Sequence, residues 1–455
     1  MCQRCNGLAF GIGLNVLSCN RTSRIDTLAM KPPTTSPTNT LRSWQSIALC
    51  LLIPFALVGL VLFVSPNFSL DFDQSAFHEP VRSGSFGGDF LQEYVGGHIW
   101  NHQRDGLYDW EYSKSIQHQP DIVGFAWKQE SFFPMVYPPF HYQLASIFSG
   151  WSYPKFAIAF SLLNAIALFI AAVAFVFGYR ELNREKLGWL FAALLFVPLL
   201  LSLNMGQKSA ILLAILTVSF VLLHREKPLA AGLVFGLIAF KPHFAILIGL
   251  TMLFKKQWWF VAGSFVTLAI LIGISLVSPE SWRGYLETSL GFNQFVNNGG
   301  YQLHESHSLW GATQLLVGDR MPWLVKPLAG ALALVIIALV WHVMRGPLEL
   351  SSTRFALQFS VLVVAMVLTS PHFYTYDLTI LLLPLAICVV GRHREAEKLA
   401  WSGAAIFLGV VFSKSLVTAT GFQLTLVLFT AWIIVIAVLC NRDVLKGQVT
   451  APINR

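Results

Sequence analysis

The feature that most constrains this chain is the recurrence of apolar runs along nearly its whole length. A helix needs about 20 mostly apolar residues to cross a hydrocarbon core about 30 Å thick. Reading for apolar length and flanking charge gives twelve segments, near 44–65, 155–178, 188–204, 208–224, 229–240, 243–254, 258–278, 322–344, 354–370, 376–391, 399–415 and 420–440. Only 12% of residues are charged, half the roughly 25% of a soluble domain, so three soluble domains of this total length are excluded. The expected fold class is an all-α polytopic membrane protein. Segments 229–240 and 243–254 are split by Lys241-Pro242-His243. Irregular backbone at membrane depth survives only where protein or a water-filled cavity surrounds it, so this break predicts a cavity.

A net charge of +8 could suggest nucleic acid, but the Lys and Arg sit in short clusters between apolar runs. There they act as topology signals. With a cytoplasmic N-terminus, the inside segments hold 20 of the 31 Lys and Arg and both termini are cytoplasmic, as in a multi-pass protein of the cell (inner) membrane. The layout is then a tail over 1–43, a membrane domain over 44–440 and a second tail over 441–455. Two long loops fall outside, near 66–154 and 279–321. The first carries ten Asp and Glu against four Lys and Arg. Long ordered loops on one face point to work done there. No cleavable signal peptide is evident, and Met30 is a plausible alternative start. The six cysteines form no disulfide framework, and Cys2-x-x-Cys5 lacks the second pair that a zinc site needs.

In the first loop, Phe90, Leu91, Tyr94, Val95, Ile99 and Trp100 recur at helical spacing. This predicts an amphipathic helix lying at the membrane surface. Asp89 stands at its first turn. Spacing alone favours an N-cap; a general base at the membrane–water boundary is the sharper reading, and the two are compatible.

Asp89, Tyr94, Gly106-Leu107-Tyr108-Asp109 and Tyr137-Pro138-Pro139 together resemble the first-loop pattern of glycosyltransferase family 87. Gly206-Gln207, Lys241-Pro242, Ser306-His307-Ser308-Leu309 and Ser370-Pro371-His372-Phe373-Tyr374-Thr375-Tyr376-Asp377 follow in the family's order, and the likeness covers roughly residues 44–440. The second-loop motif departs from the more usual Asn-Gln-Ser-Leu. The resemblance implies a GT-C-like bundle and transfer of a single sugar, most typically mannose, from a polyprenyl-phosphate donor to a lipid or glycan acceptor. It also implies inversion at the anomeric carbon, with Asp89 as the catalytic base.

The remaining residues suit a lipid phosphate. Lys208 and Lys241 lie beside or within apolar runs, where a charge costs on the order of 3 kcal/mol. Lys208 could instead snorkel from its segment end. His372, Tyr374 and Asp377 sit at an outside-facing helix start, readable as an aromatic belt with a dipole-favoured Asp or as phosphate or sugar contacts with a second carboxylate. His307 has the same standing. Tyr137 could stack on a sugar, while Pro138 and Pro139 fix the chain's descent. Asp109 reads as a helix cap. No Walker A loop, Gly-x-Ser-x-Gly elbow or His-Glu-x-x-His is present. No metal cluster stands out, and no cofactor is called for. The inside segments are too short for a nucleotide-sugar domain. The rival reading is a transporter or flippase of lipid-linked sugars, which more often shows repeated halves and short connections.

Overall fold

A computed structural model describes residues 52, 54–57, 60, 89–124, 132–291, 303–393 and 395–449. Expectations for residues 1–43, including Cys2, Cys5, Cys19 and Met30, lie outside the described residues. So do most of the first segment, Gly87-Gly88 and the tip of the second loop. Among the described residues the chain is helical, with no strand and two isolated bridges, Leu182–Gly391 and Ser306–Tyr374.

The first loop contributes α1 (Phe90–Gln103), α2 (Trp110–Gln117) and α3 (Pro139–Ala145). The surface helix expected here is not what forms. α1 is buried from Phe90 to Trp100 except at the half-buried His98, and is exposed from Asn101 onward. Its sequence has apolar or small residues at every azimuth, so it fits an interior rather than a boundary. Gly96 and Gly97 let α3 come close: a Cβ on Gly96 would strike the Tyr142 ring, and one on Gly97 would lie 2.8 Å from the Ala145 backbone. The amphipathic helix is instead α2, which buries Ser113, Ile116 and Gln117 and exposes Glu111 and Lys114. Asp109 caps it as expected, accepting from the Tyr112 N–H at 3.1 Å.

Among the described residues, four helices are long and apolar enough to cross a membrane: α4 (Tyr153–Gly178), α9 (Trp258–Ser275), α12 (Pro322–Val343) and α15 (Ala396–Thr420, apolar over Glu397–Thr420). A fifth arises if Arg184–Ala193 and α5 (Val197–Met205), bent by 53°, form one span. Other expected segments are shorter apolar helices: α6 (Ser209–His224), α7 (Pro228–Phe235), α8 (Pro242–Phe254), α13 (Thr353–Thr369), α14 (Leu382–Val390) and α16 (Leu424–Val449), which is apolar to Cys440. The second loop supplies α10 (Pro279–Leu290) and α11 (Leu309–Val317). The chain is therefore an all-α, multi-pass membrane protein.

The break at Lys241 is present. A 3-10 turn over Gly236–Phe240 ends at Lys241, whose backbone is non-helical, and Pro242 opens α8 at its first turn. Proline is tolerated there because that N–H has no helical partner to lose. Cys388 and Cys440 are buried and form no disulfide.

Candidate active site

Helix α5 stops at Gly206, whose φ of +77° is a left-handed conformation that glycine adopts without strain. The Gln207 N–H closes the turn on the Ser202 carbonyl at 2.8 Å, and α6 begins at Ser209. This elbow presents three consecutive side chains to three carboxylates from distant parts of the chain. Gln207 Nε2 donates to Asp89 Oδ2 at 2.5 Å. Lys208 Nζ pairs with Glu93 Oε1. Ser209 Oγ donates to Asp377 Oδ1 at 2.8 Å, and that oxygen also receives Lys241 Nζ at 2.6 Å.

All of these groups are buried. A buried ion is costly unless it is paired and hydrogen-bonded, and the arrangement satisfies that demand for both lysines. The snorkelling alternative for Lys208 is thereby excluded. Its ammonium also lies 3.8 Å from the centre of the Tyr137 ring, within cation–π range. That ring is fixed through its backbone. The Tyr108 hydroxyl donates to the Tyr137 carbonyl at 2.5 Å, and the Tyr137 N–H donates to the Tyr142 hydroxyl at 3.2 Å. Tyr137 thus packs under a lysine in this state, where a sugar-stacking role was one expectation.

Asp89 precedes α1 with helical dihedrals and makes no side-chain cap hydrogen bond. The cap that spacing favoured is not formed; its carboxylate turns to Gln207 instead. One turn along, Glu93 is 1% exposed. Burial pushes its carboxyl pKa up, but Lys208 and the His141 ring outweigh that and hold it below the usual range. His141 Nε2 lies 3.3 Å from Glu93 Oε1, and burial lowers the His141 pKa, so the ring is neutral near pH 7. Burial raises the Tyr137 hydroxyl pKa, and Glu93, Asp377 and Asp89 add to it. One tyrosine therefore lies within electrostatic reach of all three carboxylates.

Asp89, Lys208, Lys241, Tyr137 and Asp377 are thus brought into one cluster. His372 and Tyr374 border it, with ring centroids 4.5 Å apart and His372 6.4 Å from His243. Burial and the Lys241 charge lower the His372 pKa to about 3, so it offers a neutral ring to any anion. His307 stands outside the cluster. Its Nδ1 meets Thr425 Oγ1 at 2.8 Å and its Nε2 meets Thr375 Oγ1 at 2.9 Å. That ring braces the second loop against the start of the 3-10 helix Thr375–Leu381.

Sequence reading missed Glu93, His141, Gln207 as a side-chain partner, and Ser209. Glu93 was legible in principle, because residues four apart share a helix face and Asp89 was already singled out. His141 stands at the same spacing after Tyr137. No metal-binding group of three or more His, Cys, Asp or Glu occurs among the described residues.

A family model, glycosyltransferase family 87, matches residues 135–371. The match takes in Tyr137, the 206–209 elbow, Lys241 and His307, and stops short of Asp89 and Glu93 on one side and His372 and Asp377 on the other. No curated protein and no solved structure matches the chain.

Proposed function

The chain belongs to glycosyltransferase family 87, and from that membership we propose that it transfers one sugar, mannose, from a polyprenyl-phosphate donor to a lipid or glycan acceptor. In this reading the twelve segments lie across the cell membrane with both termini cytoplasmic, and the cluster around Asp89 opens to the extracytoplasmic side.

The chemistry follows from the groups present. The Asp89 carboxylate takes the proton of an acceptor hydroxyl. As it does so, the acceptor oxygen forms a bond to the anomeric carbon and the bond from that carbon to the phosphate oxygen breaks. Polyprenyl phosphate leaves with the bonding electrons, and attack from the opposite face inverts the configuration. One base suffices, because a phosphate leaving group needs little protonation. Positioned general bases contribute about 10²–10⁴-fold. Lys208 and Lys241 are placed to meet the phosphate's charge; in a water-poor site such cations act strongly and need no reorganisation. Neutral His372 and Tyr374 can add hydrogen bonds to the phosphate or the sugar.

The single observation carrying the reading is the elbow at 206–209. It meets Asp89 through Gln207 and carries an ammonium on the adjacent residue, so one turn both contacts the base and supplies a cation for the anion. The test is Asp89→Asn in the purified protein, supplied with labelled polyprenyl-phosphate mannose and candidate acceptors. Turnover should fall by at least about 10²–10⁴-fold, with unchanged monodispersity and thermal stability. Near-wild-type turnover removes Asp89 from the role of base.

A further inference from the structure

Three acceptor atoms in the buried cluster have no hydrogen-bond partner among the described residues: Glu93 Oε2, Asp377 Oδ2 and Gln207 Oε1. In each case the other polar atom of the group is engaged. Lys208 and His141 occupy Glu93 Oε1, Lys241 and Ser209 occupy Asp377 Oδ1, and Gln207 Nε2 serves Asp89. A buried polar atom without a partner costs free energy, more so when it is charged. What these atoms lack is specific. Carboxylate and amide oxygens accept and cannot donate, so an ionised phosphate cannot satisfy them, whereas the O–H groups of a sugar can.

Glu93 is the best placed of the three. It lies one helical turn from Asp89, on the same face of α1, where side chains stand about 5–6 Å apart at Cβ. An acceptor oxygen bonded to the base lies about 2.6–3.2 Å from it, and the anomeric carbon about 3–3.5 Å farther. The ring being transferred therefore lies about one helical turn from Asp89, a separation that Glu93 matches. The side chain cannot swing away, because Lys208 and His141 hold it.

We propose that Glu93, together with Asp377, accepts hydrogen bonds from ring hydroxyls of the transferred sugar and so selects which sugar the enzyme moves. This rests on the reading that a sugar donor occupies the cluster. It assigns Glu93 to the hydroxyls and leaves the phosphate to the two lysines.

The experiment compares a polyprenyl-phosphate sugar with its monodeoxy analogues, using full-length protein in detergent or nanodiscs. In the wild type, at least one deoxy position should lower kcat/KM on the order of tenfold to a hundredfold, the worth of a hydrogen bond to a charged group. In Glu93→Gln that penalty should shrink to within about threefold at one position and persist at the others. If Glu93→Gln folds poorly, Glu93→Gln with Lys208→Met removes both charges together and should show the same loss of discrimination in its residual activity. A wild type indifferent to every deoxy substitution overturns the proposal, whatever the variants do. So does an undiminished penalty in the variant. A wild type that transfers nothing from any polyprenyl-phosphate sugar overturns the donor reading itself, a result distinguishable from the other two.

Discussion

Replacing Lys241 with alanine removes one member of a buried ion pair and leaves the other behind. The Lys241 ammonium lies 2.6 Å from Asp377 Oδ1 and both side chains are buried. At that separation and an effective dielectric constant of about 20, the gross attraction is about 6 kcal/mol. Desolvating the two ions costs several kcal/mol each, so the net value of the intact pair is small. Breaking it is another matter. Asp377 would keep only the Ser209 hydroxyl on that oxygen, and an uncompensated buried charge of this kind costs about 3–5 kcal/mol. Lys241→Ala should therefore lower thermal stability sharply, whereas Lys241→Met with Asp377→Asn, which removes both charges at once, should come close to wild type. The assay is a double-mutant cycle of Lys241→Met, Asp377→Asn and the pair on thermal unfolding of the detergent-solubilised protein, followed by loss of monodispersity. Additive single and double effects would refute the coupling. The paired variant then separates folding from function: if Lys241 holds the donor's phosphate, it folds and fails to bind donor. Unchanged donor affinity in the paired variant would make Lys241 a structural residue only.

Gly206→Ala should reduce both stability and turnover, because φ of +77° costs a residue with a Cβ about 1–2 kcal/mol; the new methyl would also lie 2.6 Å from the Phe90 ring, next to Asp89. Wild-type turnover in Gly206→Ala would show that the elbow tolerates displacement. Burial lowers the His307 pKa to about 4, so between pH 6.5 and 4 the unfolded chain binds more protons than the folded one and stability falls on acidification. That contribution reaches about 3 kcal/mol and should vanish in His307→Gln, as read from thermal unfolding at pH 7 and pH 4.5; parallel curves would refute it.

Much of the site was visible before the fold. Lys208 and Lys241 stand out because a charge beside or within a long apolar run is expensive, and that cost is a local property of a sequence window; Asp89, Tyr137 and Asp377 stand out through the short motifs that resemble the family's. The partners were not visible. Asp89 was expected to cap its own helix, and instead it meets Gln207, 118 residues away. Glu93 passed as one acid in an acidic loop until Lys208, 115 residues on, closed on it. His307 had the same standing in the sequence as His372, Tyr374 and Asp377, yet both its ring nitrogens are used to brace a loop.

The sequence alone determined that this chain is helical and membrane-embedded, and that it breaks at Lys241-Pro242. Hydropathy and proline act over a few residues and need no knowledge of neighbours in space. Only the tertiary structure decided which lysine neutralises which carboxylate, and which acceptor atoms were left for a ligand. The two lysine pairings span 115 and 136 residues. They exist because packing excludes water from one place and leaves each buried carboxylate to find a lysine or a hydrogen-bond donor there.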